Sequence, residues 1–495
     1  MTDCFLGIDI GTGSSKGVIT DISGKILAEA QVPHDMEMPA PGQYEQDADE
    51  IWWGDFVRLC RQLCDLLSRN HGLRTENIKA VGISTIAPCV LPVDSKGRPL
   101  RKGIMYGIDT RAVDEITEIE ELVGKDEIFR LTGLTLSSQA CVPKMRWLQK
   151  HEPEVWDRTA KILTAAGYIV YKLTGRFTVD IYNAIGYAPL FDIRKKCWDS
   201  NHSADLNINM KLLPELLWSS DVAGTVTAEA AELTGLSIGT AIITGTADAV
   251  SEAVGAGVCM NGDMMMMYGS SNFFIMRTEN LTPLSSFWSS NFIDPGTSVI
   301  TGGMSTVGSM FKWFSETFPG RSLPEWENLA AAAAPGAGGI TILPYFAGER
   351  TPINAPDAKG VIFGLSLQSS PGDIFRALQE SVGYGIKHNI EEMRRQGTGA
   401  RRIIAIGGAS GSRQLMQVIS DITGVSQFIP DIGLGACYGD AFLAAVGTGH
   451  FNSSAEAGKW VGVADEIVPD KDLFGFYEEG YKKYRALYES TRHLF

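Results

Sequence analysis

Two spacings of apolar residues take turns along this chain. Residues Cys4–Ile10 are apolar except for Asp9, which predicts a buried strand. A turn rich in glycine and hydroxyls follows, Val18 and Ile19 resume a strand, and after a turn at Ser23-Gly24 a third apolar run covers 26–28. The spacing then lengthens. Trp52, Phe56, Leu59, Leu63 and Leu66 recur every three to four residues, the stripe of an amphipathic helix that Asp47 or Asp49 is placed to cap. Residues 80–84 and 89–93 read as strands with a turn at 94–97, and 143–148 open a helix with proline in its first turn. Residues 162–171, 173–175 and 178–180 read as strand, helix and turn, while 199–213 is polar and aperiodic, a surface excursion. At 239–248 a turn and an apolar strand end on Asp248, with a helix of small residues over 249–257.

From Asp263 the pattern starts again. A strand at 264–268, a polar turn at 269–272 and a return strand at 273–276 echo the opening hairpin. One such unit per half predicts two related lobes with a boundary near 246: a first lobe over 1–245, a second over 246–452 and a helical extension over 453–495. The second lobe offers a helix with Phe311, Trp313 and Phe314, a conspicuous loop at 343–352, and a strand at 402–406 that ends in glycines. A helix with Leu415, Val418 and Ile419 inward follows them. The final stretch, 476–487, is an amphipathic helix whose docking site the pattern does not give.

Composition narrows the class. Of 495 residues, 44% are hydrophobic and 20% charged, a globular balance that leaves no reason to expect disorder. The net charge of −15 argues against nucleic acid or a membrane surface as partner, so a phosphate-bearing ligand must be held by local donors. No apolar run reaches the roughly 18 residues of a membrane span, and the N-terminal segment lacks a signal peptide's basic and apolar regions. A cytoplasmic location is expected. The cysteines are dispersed; Cys60 and Cys64 lie four apart, with no second pair to complete a zinc site, so buried thiols are expected.

Candidate chemistry begins at the first turn. Gly11 and Gly13 permit close backbone approach, and successive N–H groups there can form an anion-binding concavity. Ser14, Ser15 and Lys16 add donors for phosphate oxygens, and Asp9 is placed to join a Mg²⁺ shell. Neither familiar phosphate loop fits: no segment carries the Walker spacing, and these glycines lead into a strand rather than the helix of a dinucleotide site. A phosphate loop on a strand–turn–strand unit is how actin-like nucleotide-binding folds are built; a plain glycine-rich turn is the alternative. Asp248, just past a strand end, is placed as a base or as the cap of the next helix. Asp109 and Arg111 reach a ligand or simply pair with each other.

Six stretches then occur in order: GIDIGTGSSKG, EQDADEIWW, PKMRWLQKHEP, GTADAVSEAVGAG, GERTPINAPDAKGVIFGL and GGASGSRQLMQVISDITG. With them the chain resembles the FGGY carbohydrate kinases, most of all the xylulokinase-type pentulose kinases, over about residues 5–449. The resemblance implies an α/β, two-lobed actin-like (ribonuclease H-like) ATPase fold with a central cleft where ATP and sugar meet. It implies Asp248 as the catalytic aspartate, in reach of sugar and metal, and Asp9 as metal-associated. Gly11, Thr12 and Gly13, with Ser14 and Lys16, match the first phosphate loop; Gly269 and Ser270 match the second. Gly308 falls near the nucleotide, Gly407, Gly408 and Ala409 at the adenosine turn, and Ala87, Pro88, Tyr106 and Gln139 at the sugar. ATP and Mg²⁺ are the implied cofactors and a small sugar the implied partner, with a homodimer open to such a chain. The departures cluster at the sugar: Ile86-Ala87-Pro88-Cys89 stands where xylulokinases carry Gln-Met-His-Gly, and Ala249 replaces an amide after Asp248.

The activity so implied is ATP-dependent phosphorylation of a hydroxyl on a small sugar, a pentulose such as xylulose, with Asp248 receiving the hydroxyl proton. Gluconate, ribulose, erythritol or a deoxy sugar are alternative acceptors. A nucleotide switch of the same fold that phosphorylates nothing is the alternative from another class; Asp248 and the GERTP loop speak against it, since a switch needs neither.

Overall fold

The computed structural model describes residues 2–281 and 283–495. Two seven-stranded sheets organise it. In the first, strands run in the order Val222–Thr225, Ala241–Ile243, Ile78–Thr85, Cys4–Ile10, Ser14–Asp21 and Ile26–Pro33, with Thr246–Ala247 also beside Ile78–Thr85. In the second, the order is Trp288–Asn291, Ser298–Gly302, Asn272–Thr278, Asp263–Tyr268, Arg402–Ile406, Gln427–Pro430 and Val463–Ile467. Each opening strand pairs antiparallel with its hairpin partner and parallel with the next strand on its other side, Ile78–Thr85 or Arg402–Ile406. The order and sense of pairing therefore repeat, and only Trp288–Asn291 lacks a counterpart in the first sheet.

The apolar patterns explain most elements. Cys4–Ile10 is a strand whose residues are buried except for the half-buried Asp9. Asp47 caps the predicted helix, accepting from the amides of Asp49 and Glu50; its stripe is buried at Trp52, Phe56, Leu59 and Leu63 and continues at Leu67 rather than Leu66. Four residues return closer to a full turn than three. Residues 162–171 are not one strand. Lys161–Leu163 is short, and Thr164 then caps a buried helix, Ala165–Thr174, by accepting from Gly167 N at 3.1 Å. A continuous apolar run does not distinguish the two states. Thr178–Asp180, read as a turn, is a strand paired with Glu215–Leu217, and the excursion at 199–213 sends Leu206 and Ile208 into the core.

Helix Ala436–Gly447, from the second half of the chain, lies against the first sheet. A Cβ on Gly7 would sit 1.9 Å from Cys437 O, and one on Gly82 2.0 Å from Asp440 O, so only glycine allows the approach. This helix and Asp248–Gly255 fill the space between the lobes in one core, with Phe5 and Val18 from one sheet and Met265 and Ile404 from the other. The C-terminal helix is Phe474–Thr491. It docks on the second lobe through Tyr477, Tyr481, Tyr484 and Tyr488, with the Tyr484 hydroxyl 2.8 Å from that of Tyr345. Among the described residues no helix is long and apolar enough to cross a membrane.

Candidate functional site

The first turn presents an inverted polarity. Its three carbonyls are tied back: Gly11 O to His34 Nε2 at 3.0 Å, Thr12 O to Gln46 Nε2 at 3.1 Å and Gly13 O to His34 N at 3.1 Å. The amides of Thr12 and Gly13 have no acceptor among the described residues, so two N–H groups are left for an anion. His34 also meets buried Asp55 at 2.7 Å through Nδ1. Carbonyl and carboxylate can only accept, so both ring nitrogens carry protons, and the hydrogen bonds to Asp55 and Gly11 raise the histidine's pKa despite its burial. Ser15 and Arg58 complete the shell around Asp55. Lys16 stands opposite Asp9 on the neighbouring strand, exposed and without an ion pair among the described residues.

The second turn repeats the inversion with other means. Gly308 N donates to Gly269 O at 3.0 Å, and Val307 N and Ser309 N donate to Ser270 O at 2.9 and 3.0 Å. The amides of Ser270 and Ser271 stay free among the described residues. Gly308 has no room for a side chain, since its Cβ would lie 2.7 Å from Gly269 O. Gly407, at φ +90°, abuts Tyr268 beside that loop, and Gly408 and Ala409 continue into an exposed turn. Arg350 Nη2 donates to Asn272 O and, at 2.7 Å, to Met304 O. The Glu349 carboxylate accepts from Ser305 N and Arg350 N; burial nevertheless pushes its pKa up to about 7.

Four acids form the floor between the loops. Asp248 is the first residue of helix Asp248–Gly255. It does not cap the helix from outside: among the described residues its Oδ1 accepts only from Ala249 N, at 2.7 Å. Burial raises it to about 6, so it is ionised and able to accept a proton at neutral pH. Asp9 accepts from Ser84 Oγ at 3.0 Å, and burial together with the charges of Asp248 and Asp440 raises its pKa. Glu252 rises to about 7 and Asp440 to about 8, both chiefly from burial.

Beside this floor lies a cavity of about 340 Å³. Ala87, Pro88, Tyr106, Gln139 and Asp248 all line it, so the residues the sequence assigned to the sugar come together. The Tyr106 hydroxyl is 3.4 Å from Thr12 Oγ1, which joins the cavity to the first loop. The second lobe contributes Phe273, Trp288, Ser290, Thr301 and Arg350, and much of the remaining wall is apolar, with Leu134, Leu136 and Ile185. Lys144 lies beneath, 1% exposed, donating to the carbonyls of Met105, Tyr106 and Ser138. Asp109 and Arg111 stand outside the cavity and pair with each other, with Arg111 also reaching Glu45.

Comparison with known proteins decides the family. The profile of the FGGY family of carbohydrate kinases, N-terminal domain, matches residues 4–255, and that of its C-terminal domain matches 264–448. The chain belongs to the FGGY family of carbohydrate kinases. This FGGY kinase is 30% identical to a xylulose kinase of Staphylococcus epidermidis, over 99% of this chain and 97% of that one. It superposes on the crystal structure of xylulose kinase from Rhodospirillum rubrum with a TM-score of 0.93 at 27% identity, covering 99% of each chain. Plasmodium falciparum glycerol kinase with ADP shares the fold at a TM-score of 0.91 and 22% identity. The two-lobed actin-like ATPase fold and ATP-dependent sugar phosphorylation follow from membership. Within the FGGY kinase, no sequence pattern announces the braces His34 and Asp55, the acid Asp440, or Trp288. Gln46, Lys144, Glu252 and Arg350 sit inside recognised motifs.

Proposed function

We propose that the acceptor is a small ketose of pentulose size, xylulose first among them, phosphorylated on one hydroxyl at Asp248. The observation that carries this reading is the position of Asp248: half-buried, ionised at neutral pH, with one oxygen held by Ala249 N and no donor to the other among the described residues, on the wall of a cavity that opens beside the first phosphate loop. The acceptor hydroxyl donates to that second oxygen, attacks the terminal phosphorus in line, and leaves its proton on Asp248. The free amides of Thr12, Gly13, Ser270 and Ser271 take phosphate oxygens from two sides, and Lys16 supplies a mobile cation. Gly407, Gly408 and Ala409 accommodate the adenosine. Enclosure between the lobes keeps water from taking the phosphoryl group.

Mg²⁺ fits this floor. Among the described residues no three His, Cys, Asp or Glu side chains gather as a metal cage, and a pair of carboxylates is the donor set this ion takes when phosphate and water complete its shell. Asp9 and Asp248 would hold it, directly or through water, and it would offset charge on the transferring group. The xylulose kinases of S. epidermidis and R. rubrum make xylulose the first acceptor to try. The test is ADP release with ATP, Mg²⁺ and a panel of D- and L-xylulose, ribulose, erythritol, gluconate and deoxyketoses. Release with a pentulose well above the rest is expected. A gluconate or erythritol preference overturns the pentulose assignment, and tight ATP binding without sugar-dependent release favours the nucleotide switch.

A further inference from the structure

Asp440 is a buried acid that the reaction above leaves unused. It stands in the middle of helix Ala436–Gly447, contributed by the second half of the chain, with no exposed surface. Glycines clear its way on both sides: Gly7 and Gly82 on the sheet, and Gly439 toward helix Asp248–Gly255, where a Cβ would lie 1.9 Å from Ser251 O. The carboxyl then bridges two hydroxyls. Oδ2 is 2.6 Å from Ser84 Oγ and Oδ1 is 2.5 Å from Ser251 Oγ. Ser84 Oγ is also 3.0 Å from Asp9 Oδ1, and Ser251 lies one turn after Asp248.

Protons can be counted here. Ser84 owns one O–H and faces two carboxyl groups. If both aspartates were ionised, one contact would set oxygen against oxygen with no proton between them, in a fully buried place where no lysine or arginine among the described residues touches Asp440. One added proton satisfies every contact. Asp9 is half-buried with Lys16 opposite, whereas Asp440 is fully buried and meets two hydroxyls and the Ser84 amide with no cation beside it among the described residues, so the charge belongs on Asp9 and the proton on Asp440. We infer that Asp440 is a positioning residue that works as a neutral acid, donating to Ser84 so that Ser84 donates to Asp9, while accepting from Ser251 to hold the helix that begins with Asp248. One buried side chain from the far half of the sequence thus sets the two working carboxylates relative to each other. Burial first, and the charge of Asp248 after it, make its ionisation harder and raise its pKa to about 8.

This inference rests on the kinase reading of Asp9 and Asp248, and its test separates the two. Asparagine keeps the pattern, with Nδ2 donating to Ser84 and Oδ1 accepting from Ser251. Asp440→Asn should therefore retain kcat within about threefold, while Asp440→Ala should lose about 10²-fold in kcat with the sugar KM within about threefold, the signature of misplaced reacting groups. Infrared difference spectra of wild type against Asp440→Asn at neutral pH should show a protonated carboxylic acid carbonyl present only in the wild type. Asp440→Asn as impaired as Asp440→Ala, Asp440→Ala as active as wild type, or no such band overturns the inference. If Asp440→Ala fails to fold, the asparagine variant and the infrared band still decide it. A wild type that turns over no sugar removes the kinase reading, and the band then decides the protonation of Asp440 independently.

Discussion

The two hairpins that face each other across the cleft share a plan and are held by different means. In the first, carbonyls are pulled back by side chains from elsewhere, His34 and Gln46; in the second, by the backbone amides of Val307, Gly308 and Ser309 at the start of helix Gly308–Thr317. Both leave two amides free, and both put positive potential behind them, an imidazolium in one case and a helix N-terminus in the other. The acids divide unequally too: Asp9 stands two residues before Gly11 in the first hairpin, and Met267 holds that place before Gly269 in the second. In the proposed reaction the first loop handles cation and phosphate, and the second is a neutral clamp. A side-chain brace is broken by truncation; a backbone brace is broken by added bulk.

The largest effect expected falls on the working carboxylate, which neither clamp can replace. Asp248→Asn should cut kcat by about 10³-fold while ATP binding measured by calorimetry stays near wild type; near-normal turnover would remove Asp248 from the reaction. Next, Gly308→Val forces a methyl-bearing carbon against Gly269 O and should raise the KM for ATP about tenfold, since overpacking of this kind costs about 1–3 kcal/mol, with the sugar KM unchanged. Gln46→Ala tests the other brace. It frees Thr12 O and strands the indole N–H of buried Trp52, which now donates to Gln46 at 2.8 Å; a stability loss of about 1–3 kcal/mol by denaturant titration should accompany an ATP KM only about threefold higher. If both variants affect ATP equally, the distinction between clamps fails.

The smallest effect is a pH slope confined to the acidic floor. Asp248, Glu252 and Asp440 are raised to about 6, 7 and 8 in the folded chain, against about 4 when unfolded. The folded state therefore binds more protons across that window, and stability declines as pH climbs from about 4 toward about 8. The thermal midpoint should be higher at about pH 5 than at about pH 8, and Asp440→Asn should narrow the gap.

Much of the architecture is legible in the chain. Strand Cys4–Ile10 and its hairpin, the echo at Asp263–Tyr268, and the helix stripe from Trp52 all follow from local period and turn chemistry, which neighbouring residues write directly. The residues 165–171 are read wrongly because an apolar run looks alike in a buried helix and a buried strand. Helices Pro371–Arg395 and Ala436–Gly447 are absent from the reading, and with the second goes Asp440.

By itself, then, the order of residues determined the family, the duplicated hairpins and the glycines at each turn, since these depend on backbone conformation and spacing along the chain. Only the tertiary structure decided that His34 braces the first loop, that Trp288 of the second lobe walls a cavity with Ala87, and that Asp440 shares a proton network with Asp9. Those outcomes need side chains tens to hundreds of residues apart in sequence to meet in space, and burial to set their charge. Neither is written in the local pattern.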